Sequence, residues 1–448
     1  LILFSIASLL RTIELPFSSI KFAWLKNLLF FPAKYAIVKK IKLWLYKRYT
    51  LRTRMNTKNF IPNTLQFIDS DDIRATTRAL TYFKTSRGRL VEDFEQEFAQ
   101  KCRAKYAVLF NSDTAAFQGV YYAVNATEYD HIFLSPNSSI NAVIGAIQRR
   151  SKIDLIDIEF LTGLLNNQLL SEKLSTFRAA RGSPIIFVSH FAGLSANMKE
   201  IFNGLHHPNP VIIEDASHAI GAKYRGYDDK VVGCCEWSDM TVFSLQTSSL
   251  VSANEGGVVT TNDLDYYHRL RLYRNNGIER HPQARALPYP NYAEVLDITG
   301  NFNPTNTQTA LALSQLQKLE IFVQKRKELL QYYRQRLQNI PHLTYISEEY
   351  DSYAAYSSCN IQIEFSQYKK QRKNVMESLA RMGVGSHVIH IPLYHHPAID
   401  RYKSFNHESF PSMEKFYNQS LSLPLFHELK ERQIDHICHS LLKALRNK

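Results

Sequence analysis

Residues 211–224, VIIEDASHAIGAKY, and residues 242–261, VFSLQTSSLVSANEGGVVTT, decide how this chain folds. Each string opens on a short apolar run of the kind that is buried on both faces of a sheet. In the first, the acids Glu214 and Asp215 close the run. In the second, Ser244 ends one run, and the turn Glu255-Gly256-Gly257 leads into a further one, GVVTT. An acid, a hydroxyl and a glycine turn thus gather at the ends of three neighbouring strands.

Similar runs lie on either side. YAVLF (106–110), HIFLS (131–135), IDLID (153–157), PIIFVS (184–189), VIIE (211–214), TVFS (241–244) and GVVTT (257–261) all read as strands. Most are separated by helix-length segments, the pattern of a sheet covered on both faces, which makes the fold class α/β. After Pro304 one long helical pattern runs through ALALSQLQKLEIFVQKRKELLQYYRQRL and leads to a smaller α+β domain. There CNIQIEF and HVIHIP read as strands, and ELKERQIDHICHSLLKAL reads as the closing helix. The expected division is an extension over 1–54, a large domain over 55–322 and a small domain over 323–448. With 448 residues, 45% of them apolar, the chain has material for more than one core.

The net charge of +13 is unevenly placed. Residues 1–54 hold eleven Lys and Arg against Glu14 alone, and this +10 leaves only +3 for the remainder. So even a balance is no footprint for nucleic acid. The basic segment, with Trp24, Phe30, Phe31, Trp44 and Tyr46 among its lysines, suits peripheral contact with an anionic membrane surface. The competing reading is a functional start at Met55, the first methionine. No apolar run reaches the ~20 residues of a spanning helix. Cys102, Cys234, Cys235, Cys359 and Cys438 follow no metal-ligand spacing and read as buried thiols of a reducing, cytoplasmic compartment.

Taken together, EDASHA (214–219), the serine and glycine turn of 242–261, LVEDFEQEFAQKCRAKYAVLFNSDTAAF, GNFNPTNTQTALALSQLQKL and FPSMEKFYNQSLSLPL resemble the DegT/DnrJ/StrS family of nucleotide-sugar aminotransferases, in that order and over roughly residues 66–448. The resemblance implies a fold-type-I transferase-like homodimer. It also implies pyridoxal phosphate or its aminated form, pyridoxamine phosphate, as cofactor, and a nucleotide sugar as partner. In that arrangement Asp215 pairs with the protonated pyridine nitrogen and keeps the ring an electron sink; an ordinary helix cap is its other reading. His218 approaches the ring oxygen, or is a satisfied core histidine. Ser112, Asp113 and Thr114 open a helix after YAVLF, where backbone N–H groups receive a phosphate, although simple capping also explains them. Ser244 adds a hydroxyl. Asn301 reaches the phosphate from the neighbouring subunit, or is a turn residue.

Four positions depart from the family. Ser249 stands where the Schiff-base lysine belongs, and no lysine occurs from Val231 to Arg274. Asp113 replaces a glycine of the phosphate turn, Ile140 replaces the aromatic that stacks on the ring, and Phe302-Asn303 stands where tyrosine and arginine are common. Serine forms no stable imine and is no base near neutral pH without a partner, so any bound cofactor is expected to be non-covalent and transamination impaired. Two alternatives stand beside that reading: a non-catalytic paralogue that binds a nucleotide sugar or an active relative, and a dehydratase-like enzyme that uses the aminated cofactor. The histidines of SHVIHIPLYHHP, namely His387, His390, His395 and His396, read as a substrate-facing loop with no metal. Arg149, Arg150, Arg269, Arg271 and Arg274 read either as diphosphate contacts or as solvated helix faces.

Overall fold

The computed structural model describes residues 60–82, 89–178, 181–205, 210–279, 294–346 and 353–446. The basic segment 1–54 and the surface role expected of it lie outside these residues.

Seven strands, β1 (Tyr106–Phe110), β2 (His131–Leu134), β3 (Lys152–Leu155), β4 (Pro184–Ser189), β5 (Val211–Asp215), β6 (Met240–Ser244) and β7 (Gly257–Thr261), form one sheet in the order β1-β7-β6-β5-β4-β2-β3. The strands from β3 to β6 run parallel, whereas β7 is antiparallel to both β6 and β1. Each of these seven strands falls on a run the sequence singled out, since β4 to β7 are buried along almost their whole length and are mostly apolar.

Helices α1 (Ser70–Tyr82) and α2 (Arg89–Cys102) precede β1, and α3 (Asp113–Ala123), α4 (Ile140–Arg149), α5 (Asn167–Thr176) and α6 (Met198–Gly204) fill the connections from β1 to β5. No described helix separates β5, β6 and β7, and α7 (Leu264–Arg274) follows β7. Phe94, Phe98 and Phe243 pack in one fully buried core. Phe117, Tyr121 and Phe187 pack in a second one. Two short strands of two residues each, β8 (Ile278–Glu279) and β9 (Glu294–Val295), pair antiparallel.

The long helical pattern after Pro304 divides into α8 (Asn306–Leu316) and α9 (Leu319–Leu337). Thr305 and Gln308 make a capping box at the first start. The break at Gln317-Lys318 contains neither Gly nor Pro, so no local signal marks it. Lys318 instead turns toward Asp69 and Asp72, at 2.6 and 2.9 Å.

The smaller sheet is antiparallel: β10 (Leu343–Tyr345), β11 (Cys359–Ile363) and β12 (Ser420–Leu423), with β11 in the middle. Around it lie α10 (Arg372–Arg381), α12 (Pro411–Gln419) and α13 (Glu431–Arg446), whereas α11 (Pro397–Tyr402) packs Ile399 into the core of the large sheet. The strand expected at HVIHIP is absent. That segment meets the outer edge of β12 at a single bridge, His387 to Ser422, and Pro392 then removes a donor. All five cysteines are buried and free. No described helix is long and apolar enough to cross a membrane.

Candidate active site

The carboxyl ends of β4, β5 and β6 and the start of α3 converge on one polar region. Asp215 is buried at the last position of β5. Its Oδ1 accepts the Ser217 N–H at 3.0 Å, and its Oδ2 accepts the Ser189 hydroxyl at 3.4 Å. A buried file of hydroxyls continues from there, with Ser189 Oγ 3.0 Å from Ser138 Oγ and Ser138 Oγ 3.2 Å from Ser135 Oγ. Asp215 therefore has donors on both oxygens that fix its direction, as a carboxylate facing a bound cation or N–H requires.

Behind it stands a residue that the sequence reading treated only as part of the motif. Glu214 is fully buried and accepts from His190 at 2.6 Å, Tyr224 at 2.6 Å, Thr241 at 3.0 Å and Ser238. Burial alone would raise its pKa, but the hydrogen bond from His190 and those from Ser238 and Tyr224 outweigh it and hold the carboxyl below its ordinary value. The His190 N–H also donates to the Asp215 carbonyl at 2.9 Å, so this cluster anchors the end of β5. A carboxylate inside an otherwise apolar strand was the available signal.

His218 lies half-buried beyond Asp215, its ring stacked on His390 at 5.1 Å and 23°. Burial lowers its pKa, against the raising influence of Asp215 and Asp113. Burial and the facing His218, His387 and His396 also lower that of His390. The HVIHIP segment thus delivers a histidine to the site although it is no strand.

The phosphate turn is where sequence and geometry part. Ser112 caps α3, its Oγ accepting the Ala115 N–H at 3.2 Å. Asp113, buried at the first helical position, accepts the Ser244 hydroxyl on Oδ2 at 2.9 Å and the Thr114 N–H on Oδ1 at 2.7 Å. Thr114 Oγ1 lies 3.1 Å from Asn141 Oδ1, beside Ile140, which opens α4 on a part-exposed face. Gly257 closes the other side: a Cβ there would lie 2.6 Å from Asp113 Cα and 2.7 Å from the Ser112 carbonyl oxygen. The donors that would cradle an external anion are occupied by the protein's own carboxylate.

Two buried hydroxyls in the region, Ser249 Oγ and Ser217 Oγ, have no hydrogen-bond partner. An unmet buried hydroxyl costs ~1–3 kcal/mol. Asn301 is exposed and held by Asn303, whose side-chain amide donates to it at 2.8 Å; it is not joined to the other candidates within one chain. Arg274 is not a solvated helix residue. It is buried and pairs with Glu95, and it donates to the Leu109 carbonyl at 2.8 Å, because the end of α7 packs against β1. Arg149 and Arg269 each lie 5.8 Å from the centre of the Tyr122 ring.

Strand order, a carboxylate ending β5 and a helix start facing a glycine turn define the large domain of a fold-type-I transferase. The chain belongs to the DegT/DnrJ/EryC1/StrS aminotransferase family, whose model matches residues 66–442. It is 27% identical over 390 residues to the spore coat polysaccharide biosynthesis protein SpsC of Bacillus subtilis, covering 86% of this chain and 96% of that protein. Over 387 residues it is 27% identical to the UDP-4-amino-4,6-dideoxy-N-acetyl-beta-L-altrosamine transaminase of Campylobacter jejuni, covering 85% and 96%. Helicobacter pylori PseC, an aminotransferase involved in the biosynthesis of pseudoaminic acid, superposes with a TM-score of 0.77 at 23% identity, over 86% of this chain and 99% of that one. Solved structures of like fold include a PLP form and a PMP form.

Against a cofactor of that type, the residues here fit at one end only. The ring end offers an oriented carboxylate and unpaired hydroxyls. At the phosphate end Asp113 already fills the cradle with negative charge, and Ser249 supplies no amine. The ring end thus suits such a group, and the Asp113 carboxylate opposes it at the phosphate end.

Proposed function

We propose that this chain is a nucleotide-sugar-binding member of the aminotransferase family, acting in cell-surface polysaccharide synthesis without ordinary transamination. The observation that carries this reading is the Asp113 carboxylate on Ser244, beside which the family resemblance puts Ser249 at the lysine position. A positioned base is worth ~10²–10⁴ in rate, and an unpartnered serine hydroxyl provides none. The binding half of the proposal rests on the buried hydroxyls of Ser217 and Ser249, which a polar ligand would satisfy. The dehydratase-like alternative fares no better, because the aminated cofactor bears the same phosphate and meets the same carboxylate.

Calorimetric titration with UDP- and GDP-linked keto sugars tests the binding half. Borohydride reduction after incubation with pyridoxal phosphate, followed by peptide mass spectrometry, tests the chemical half. Saturable nucleotide-sugar binding with no reduced lysine adduct is expected. A trapped adduct, or glutamate-dependent formation of an amino sugar, would overturn the proposal.

A further inference from the structure

His395, His407 and Glu414 come from three separate elements and meet on one part-exposed face. His395 closes the short turn Leu393–His395, His407 opens the turn His407–Ser409, and Glu414 lies in the first turn of α12. Each offers one ligating atom, and these atoms all lie within 4.8 Å of one another. The tightest pair is His395 Nε2 and the Glu414 Oε1, at 2.9 Å. Two ligands of a tetrahedral zinc ion, each ~2.1 Å from the metal, stand about 3.4 Å apart. Small side-chain rotations bring the three groups to that spacing.

Stacked rings and hydrogen bonds frame the three groups. Tyr394 is buried and stacks on Phe410 at 5.1 Å and 13°. Its ring also backs His407 at 4.8 Å, while His395 packs against Tyr417 at 5.7 Å and meets His407 edge-on at 4.8 Å. The Tyr394 hydroxyl donates to Glu414 Oε1 at 2.8 Å, which orients the carboxylate in the way that outer groups orient metal ligands. At the start of α12, Asp157 accepts the Ser412 and Met413 N–H groups at 2.9 and 3.0 Å and so fixes the helix that carries Glu414. The neighbouring Lys415 turns away onto the Phe160 ring, at 4.1 Å.

We propose that His395, His407 and Glu414 bind a divalent transition-metal ion of the zinc class, with solvent in the fourth position. Two imidazoles and one carboxylate suit zinc, while the harder magnesium and calcium prefer sites made of oxygen alone. The ion fastens residues 393–395 to α12. Five residues before His395, the same segment presents His390 to His218, so the metal steadies one wall of the pocket from outside it. The role is structural and does not depend on which reaction, if any, the pocket performs.

The test is titration of the full chain, first dialysed against a chelator, with zinc chloride by calorimetry and with cobalt(II) by visible absorbance. One zinc per chain and the absorbance of four-coordinate cobalt are expected. His407→Ala and Glu414→Gln should each weaken zinc binding at least about tenfold, and Tyr394→Phe by ~10-fold through lost orientation. His439→Ala, at an exposed position on α13, should bind as the natural protein does. His407 is itself exposed, so its removal leaves the core intact. Absence of saturable uptake by the natural chain, or unchanged uptake by His407→Ala, would overturn the proposal.

Discussion

In the proposed reading, Ser249 and Asp113 alter one pocket by different physics. The first stands where the family resemblance puts an amine, and the second adds a charge. Two unit charges ~4 Å apart repel by about 4 kcal/mol at the effective dielectric of ~20 that suits partly buried sites. A phosphate entering beside Asp113 must overcome that repulsion and also break the carboxylate's bonds to Ser244 and Thr114. Ser249→Lys alone should therefore recover imine chemistry weakly. Adding Asp113→Gly should tighten pyridoxal phosphate binding by at least about tenfold, read as the cofactor concentration that gives half-maximal aldimine absorbance. Equal affinity in the single and double mutants would mean that Asp113 yields its place without cost. The identity of these residues was legible in the sequence. Their contact was not, since Ser244 and Asp113 are separated by 131 positions and no local pattern announces such a pair.

Among the elements, β5 shows how a strand end can be made rigid enough to aim a carboxylate. Four donors converge on Glu214 directly behind Asp215, and the pair His190–Glu214 has no exposure to solvent. Removing a carboxylate oxygen leaves buried donors without a charge-assisted acceptor, at a cost of ~1–3 kcal/mol. Glu214→Gln should lower the unfolding free energy by about that amount in urea titration. Because the folded-state pKa lies below the ordinary 4.5, the contribution of Glu214 is complete above pH 4.5 and is lost as pH falls through the lower folded value. The natural chain should accordingly lose stability more steeply below pH 4.5 than the glutamine variant, and parallel curves would refute the assignment. The strands of the large sheet were readable because burial on both faces demands unbroken apolar runs. HVIHIP also shows apolar alternation, yet it forms one bridge only, because pairing beyond Ser422 is a tertiary matter. The break between α8 and α9 was hidden for a related reason, since Lys318 is placed by Asp69 and Asp72 from far along the chain.

On the scale of the whole molecule, the feature that one chain leaves unexplained is the apolar surface near Asn301. Val295, Leu296 and Ile298 are exposed, Ile298 at 89%, and Asn301 is held by Asn303 and by a bridge to Asn275. Ile73 and Leu80 add further exposed apolar area on α1. Exposed apolar residues grouped on one loop suit an interface, and a two-fold arrangement in which the same loop serves both copies closes without leaving an edge. The family resemblance implies that such a homodimer brings Asn301 to the phosphate site of the other copy. An interface of standard size buries ~1,600 Å² in total, and its loss would show in solution. Light scattering at micromolar concentration should give twice the chain mass of 51.8 kDa. Ile298→Asp should shift the protein toward monomer while leaving its far-ultraviolet circular dichroism unchanged. A natural chain that scatters as a stable monomer, or a mutant that dimerises as tightly as the natural chain, would exclude this face as the contact.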